Sequence, residues 1–442
     1  MGIRFRRSIA LAAAAVAAVS LTAAPQVDSV TFRQDDITSR RATITYSLAN
    51  EPAIVTIDIR TNGVSIGEAN LTHFAGDVNR IVQPGDMRTV YWYPDRAWPD
   101  HRSDSATAVV TAWATNAPPD YMVVDLTDGA TTYYTSTNCL PDGGLANDVY
   151  RTTRMVFRKI PARGVTWRMG SPDDPAELGR SEDEIPHLVT LTKDYWFGIF
   201  PVTMGQHKLI IGDNSDVAPN YCFFTNLACY ATRPVQGIGM KSVRGTTKLW
   251  PADAHEVAAS TPIANMRTKT GGRKFDLPTE AQWEFAARAG SGAALTTGKN
   301  LNSTATDHQL DVLGRYDKNN GASDNASESA WIRENDDSTG TSKVGIYMPN
   351  RWGIYDIHGN VSDLCLDWYA PYVGDMESVQ TNPEGGAKTD SSQCVVRGGC
   401  WGYYNSSSAA KCRLACRRAM PFDTNKVVSF RHIGYRLCLE IE

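Results

Sequence analysis

From Val27 to Ala114 the chain alternates. Runs such as "ATITYSL" (42–48), "AIVTIDIRTNG" (53–63), "MRTVYWYP" (87–94) and "ATAVVTAWAT" (106–115) set apolar and polar residues at every second position. That period buries one face of a β-strand and cannot give a helix one consistent face. Asn62-Gly63 is the dipeptide that closes a two-residue hairpin with both φ angles positive. Several such strands, with turn residues between them and no helical period, predict an all-β sandwich over residues 25–117.

This first unit resembles an immunoglobulin-like or fibronectin type III module, and it contains no catalytic constellation. The "ATNAPPD" stretch (114–120) reads as a linker. Residues 118–149 are expected to hold that linker and the leading strands of a second unit spanning 150–442. There the pattern is mixed, and "LPTEAQWEFAARAG" (277–290) is the clearest helix. Thr279 and Gln282 form a capping box after Pro278. Trp283, Ala286 and Ala287 share a face, and Gly290 marks the stop. Few other long periodic segments follow, so the second unit reads as a loop-rich α+β domain.

The first 24 residues have the layout of a secretory signal peptide. Arg4, Arg6 and Arg7 precede a short apolar run, Ile9 to Val19, and small residues follow it. Cleavage is expected between Ser20 and Ala24, giving a secreted, periplasmic or cell-surface protein. No other apolar stretch approaches membrane-span length. The formal charge of -4, with 21% charged residues, provides no basic excess for nucleic acid. Eleven Trp and eighteen Tyr suit β-rich domains and aromatic binding surfaces.

Seven blocks in order carry a resemblance: "WRMGS" (167–171), "EDEIPHLVTL" (182–191), "FPVTMGQ" (200–206), "RPVQGIGM" (233–240), the helix above, "NRWGIYDIHGNVSDLCLDWY" (350–369) and "VVRGG" (395–399), closed by "HIGYRLC" (432–438). Over 150–442 the chain resembles the formylglycine-generating enzyme, or sulfatase-modifying factor, family. The resemblance implies a C-type-lectin-like fold. Fold alone does not give function.

Enzymes of that family oxidise a sulfatase cysteine with oxygen and a copper(I) ion held by a C-x4-C pair after the "RGG" block. Soft thiolates suit copper(I). Counting from Gly398-Gly399, the pair falls near Tyr403 or Tyr404 and near Ser408 or Ala409, none of them cysteine. Cys412 and Cys416 are the remaining catalytic candidates. Read as an extended segment, they stand about 13 Å apart, too far for a shared ion or a bridge. They are then expected to be structural, with Cys365, Cys394, Cys400 and Cys438 as candidate disulfide partners. The chain has nine cysteines, an odd number, and Cys222 and Cys229 suggest a clipped loop. The eight histidines show no H-x-x-x-H spacing, which gives no support to the iron-dependent branch of the superfamily.

The resemblance also implies a structural calcium site, with Asp356 and Asp363 binding by side chain and Gly359 and Val361 by backbone carbonyl. Hard cations take such all-oxygen shells. The segment between "RGG" and "IGYRL" is expected to form an exposed face. Trp401, Tyr403, Tyr404, Asn405, Arg413, Arg417, Arg418, Phe422 and Arg431 are the ligand-binding candidates on it, being residue types that combine area with hydrogen bonding. Some lectin-like relatives bind ligands through a face varied by diversity-generating retroelements.

Two functions follow from this reading. One is a non-catalytic module for an extracellular or cell-surface protein or glycan. The alternative is a copper-dependent oxidase acting on exported sulfatases.

Overall fold

A computed structural model of the chain describes residues 23–35, 38, 40–213, 230–320, 340–389, 392–402, 408–422 and 432–442. The alternating N-terminal runs form two sheets. One orders strands Gln26–Gln34, Ala42–Ala49, Gly85–Trp92 and Phe74–Gly76. The other centres on Ala53–Thr61, which pairs along its whole length with Ala106–Ala114. Strand Ala42–Ala49 buries Ala42, Ile44, Tyr46 and Leu48 and leaves the residues between them half-buried, as its period requires. These side chains meet Val55, Ile57, Ile59, Val90 and Trp92 in one core between the sheets. Asn62 and Gly63 have φ of 52° and 79° and turn the chain from Ala53–Thr61 into Val64–Ser65.

The expected linker is not a free tether. Thr115 to Ala117 are exposed, but Pro118 and Pro119 are buried. Strands Tyr121–Asp125 and Thr131–Tyr134 already belong to the sheet of the second unit, which continues through Arg154–Ile160, Tyr195–Gly198 and Cys438–Glu440. The first two are strands within 118–149 that lead into the second unit. Ile54 on the sandwich joins its core, with Trp113 packed alongside, and the Tyr133 N–H donates to the Asn79 carbonyl at 2.8 Å.

The second unit is α+β. A further sheet orders Arg417–Pro421, Gln393–Arg397, Ser362–Trp368 and Ile433–Gly434. The helix spans Glu280–Arg288, with both halves of the Thr279–Gln282 capping box formed. Its left-handed cap is Ala289 (φ 45°), one residue before the expected Gly290. All nine of its residues are buried, so this is a central helix rather than an amphipathic surface one. No described helix is long and apolar enough to cross a membrane.

Candidate functional site

The site expected from sequence lies where the 356–363 turn meets the 397–418 segment. Close packing begins at the "RGG" block. Gly398 and Gly399 have φ of 92° and 72°. A Cβ on Gly398 would lie 2.9 Å from the Trp283 ring, and one on Gly399 would lie 2.6 Å from Cys412 Sγ. Only glycine fits at these two positions.

Beyond them, Cys412 ends a single 3-10 turn, Ala410–Cys412. The chain then turns so that the Cys416 N–H donates to the Arg413 carbonyl at 3.1 Å, and a strand starts only at Arg417. The extended reading of 412–416 is thus corrected: the segment is a tight turn. Its cause is the burial of Arg413 and Leu414, which must both face inward within one short stretch.

Cys400, Cys412 and Cys416 are all buried. Burial pushes the Cys400 thiol up to about 12, raises Cys416, and holds Cys412 well above the ordinary thiol range. A thiolate is the species that attacks or binds copper, and burial disfavours that form at all three in the metal-free protein. Among the described residues Cys365, Cys394, Cys400, Cys412, Cys416 and Cys438 are free thiols, with no bridge between any two of them. Cys222 and Cys229 lie outside the described residues.

The arginines expected on a ligand face are largely interior. Arg413 is fully buried and donates to Glu184 at 2.7 Å and to Glu177 at 3.3 Å. Arg417 donates to both oxygens of Glu280, at 2.9 and 2.6 Å, and lies over the Tyr372 ring at 3.8 Å. Arg397 pairs with Glu284, which also holds Arg288 at 2.8 Å and the Gly170 N–H at 2.9 Å. Orphaning one partner of such a buried pair costs about 3–5 kcal/mol. A charged hydrogen bond to a ligand returns about 1.5–3 kcal/mol. Arg413 and Arg417 therefore hold the fold and are not on offer to a ligand.

Trp401 is also buried, between the Asn360 carbonyl and the Asn320 amide. Arg418 and Phe422 are half-buried. Phe422 packs edge-on against Trp368 at 5.1 Å, with Lys388 over both rings. Tyr403, Tyr404, Asn405 and Arg431 lie outside the described residues.

The 356–363 turn is tightly bonded. Asp356 accepts from the Gly345 N–H at 2.8 Å and from the Asn360 amide at 3.3 Å, and its burial lifts the carboxyl to about 6. Asp363 Oδ2 accepts from the Trp283 indole at 2.9 Å and from Arg436 at 2.8 Å. Its Oδ1 is buried with no donor upon it. A carboxylate oxygen of this kind is the type of ligand a hard cation takes. Among the described residues no group of three or more His, Cys, Asp or Glu gathers around a metal position.

His358, which sequence reasoning left as one lone histidine among eight, ties the two segments together. Its Nδ1 donates to the Cys412 carbonyl at 2.7 Å, and its Nε2 accepts from the Thr296 N–H at 3.1 Å. The ring is neutral, because burial pulls it down to about 4.

Fold and site together define a lectin-like domain whose interior is held by arginine–carboxylate pairs. The family profile for the sulfatase-modifying factor enzyme 1-like domain matches residues 160–440, and the chain belongs to that family. It is 28% identical over 161 residues to a formylglycine-generating enzyme of Thermomonospora curvata, a match covering 36% of this chain and 48% of that one. It is 30% identical over 162 residues to the formylglycine-generating enzyme of Streptomyces coelicolor, covering 36% and 45%. The chain thus spans about half the length of these curated relatives. Among solved structures, Treponema denticola variable protein 1 aligns with a TM-score of 0.43 and 20% identity, over 65% of this chain and 95% of that one.

Proposed function

We propose that the chain is an exported, non-catalytic ligand-binding protein, whose formylglycine-generating-enzyme-like domain is carried on a β-sandwich. One observation supports this reading: the cysteines nearest the expected catalytic position, Cys400, Cys412 and Cys416, are buried, and that burial raises all three thiols. An oxidase of the family's type needs an accessible thiolate pair for copper(I). Counted from Gly398-Gly399, the positions of that pair fall near Tyr403 or Tyr404 and near Ser408 or Ala409.

The binding face in this proposal belongs to the 400–431 stretch of the sequence, in which the half-buried Arg418 and Phe422 are the described candidates, and its ligand is an extracellular protein or glycan. Calcium at the 356–363 turn is part of the proposal in a purely structural role. Asp363 and Asp356 would hold the ion by side chain, and Gly359 and Val361 by carbonyl.

The test is incubation of the purified protein with a sulfatase-derived C-x-P-x-R peptide, copper and oxygen, followed by peptide mass spectrometry. The proposal expects the cysteine to remain unconverted. Conversion to formylglycine would establish the oxidase reading, with exported sulfatases as substrates.

A further inference from the structure

A cavity of about 590 Å³ opens between the sandwich and the second unit, and it shares no lining residue with the 397–418 segment. Its volume lies in the range that holds a small organic ligand, and a junction between two units is a common place for such a site. Ile81 and Thr115 line it from the sandwich side. Trp196, Leu277 and Ile441 give it an apolar floor, with the Trp196 ring 6.0 Å from that of Tyr133.

The charges around it are unevenly matched. Asp276 is buried and already serves two guanidinium groups and a histidine: Arg244 at 2.8 and 2.9 Å, Arg267 at 3.3 Å and the His255 Nδ1 at 3.0 Å. Glu440 is held by Lys193 at 2.8 Å and by the Gln282 amide at 3.4 Å. Arg273 donates to the Tyr133 hydroxyl at 2.9 Å, and no carboxylate among the described residues pairs with it. The same is true of Lys274, the next residue. The wall at Arg273 and Lys274 therefore carries cationic charge that no described carboxylate neutralises. Glu256 and Glu442 also line the cavity and disfavour a ligand of high negative charge.

We propose that this cavity is a binding site for a small monoanion carrying an aromatic or other apolar body. The anionic group would meet Arg273 and Lys274, and the body would lie on Trp196. This site is separate from the face proposed above, and it stands or falls independently of that face.

The test is isothermal titration of the full chain with phenylacetate, using phenylacetamide as the uncharged isostere and sulfate as the charge without a body. Phenylacetate should bind, and phenylacetamide and sulfate should each bind at least about tenfold more weakly, the scale of one charged hydrogen bond. Arg273→Gln or Lys274→Gln should weaken phenylacetate by a similar factor. Lys274 is exposed, so Lys274→Gln remains decisive if Arg273→Gln fails to fold. No binding by the wild type at millimolar phenylacetate, equal affinity for phenylacetamide, or unchanged affinity in both variants would overturn the proposal.

Discussion

A single buried histidine fixes how the cysteine segment sits against the 356–363 turn. His358 donates to the Cys412 carbonyl through Nδ1 and accepts from the Thr296 N–H through Nε2. Burial holds the ring at about 4, against an ordinary value near 6.5, although the hydrogen bond to the Cys412 carbonyl works the other way. Between these values the unfolded chain binds the proton and the folded chain does not. The contribution is therefore complete above pH 6.5 and is lost as pH falls toward 4. The stability difference between wild type and His358→Gln should shrink over that range by on the order of 3 kcal/mol. Denaturant titrations at several pH values measure it, and a difference that does not change with pH would contradict this role. Asp356, lifted to about 6, works in the opposite direction over part of the range, so only the comparison with the variant isolates His358.

Among the elements, those specified by neighbours in sequence were legible and those specified across the chain were not. The Thr279–Gln282 capping box, the Asn62-Gly63 turn and the alternating strand Ala42–Ala49 are local patterns, and each stands where the residues imply. The turn at 412–416 is set by Arg413, whose partner Glu184 lies 229 positions away. No local period records such a pair, so the arginines read as surface residues. The same holds for Arg436 upon Asp363, 73 positions away. The 356–363 turn was legible as an oxygen-rich loop, and its open Asp363 Oδ1 leads to a prediction at this scale. Calcium should raise the melting temperature of the wild type by mass action. Asp363→Asn, which lacks the second charge, should show no rise. Thermal unfolding with calcium and with a chelator reads this directly, and a flat wild-type response would remove the metal from the account.

At the scale of the whole molecule, the sandwich and the lectin-like unit share buried surface through Ile54 and Trp113 and enclose a cavity between them. Neither feature could be read from sequence, because each half of the junction looks complete by its own pattern. Family membership, by contrast, was legible from seven short blocks in order, since each packs around the same central helix and sheets. Membership leaves open whether this chain oxidises or only binds, and that depends on the state of three thiols in the folded protein. Site-resolved alkylation is the most direct test: the native protein is treated with iodoacetamide, and labelled cysteines are mapped by peptide mass spectrometry, with a denatured sample as the reference. Cys400, Cys412 and Cys416 should stay unlabelled in the native protein and become labelled once it is unfolded. Rapid native labelling of Cys412 and Cys416, with protection of both by copper(I), would contradict the account and make the chain an oxidase.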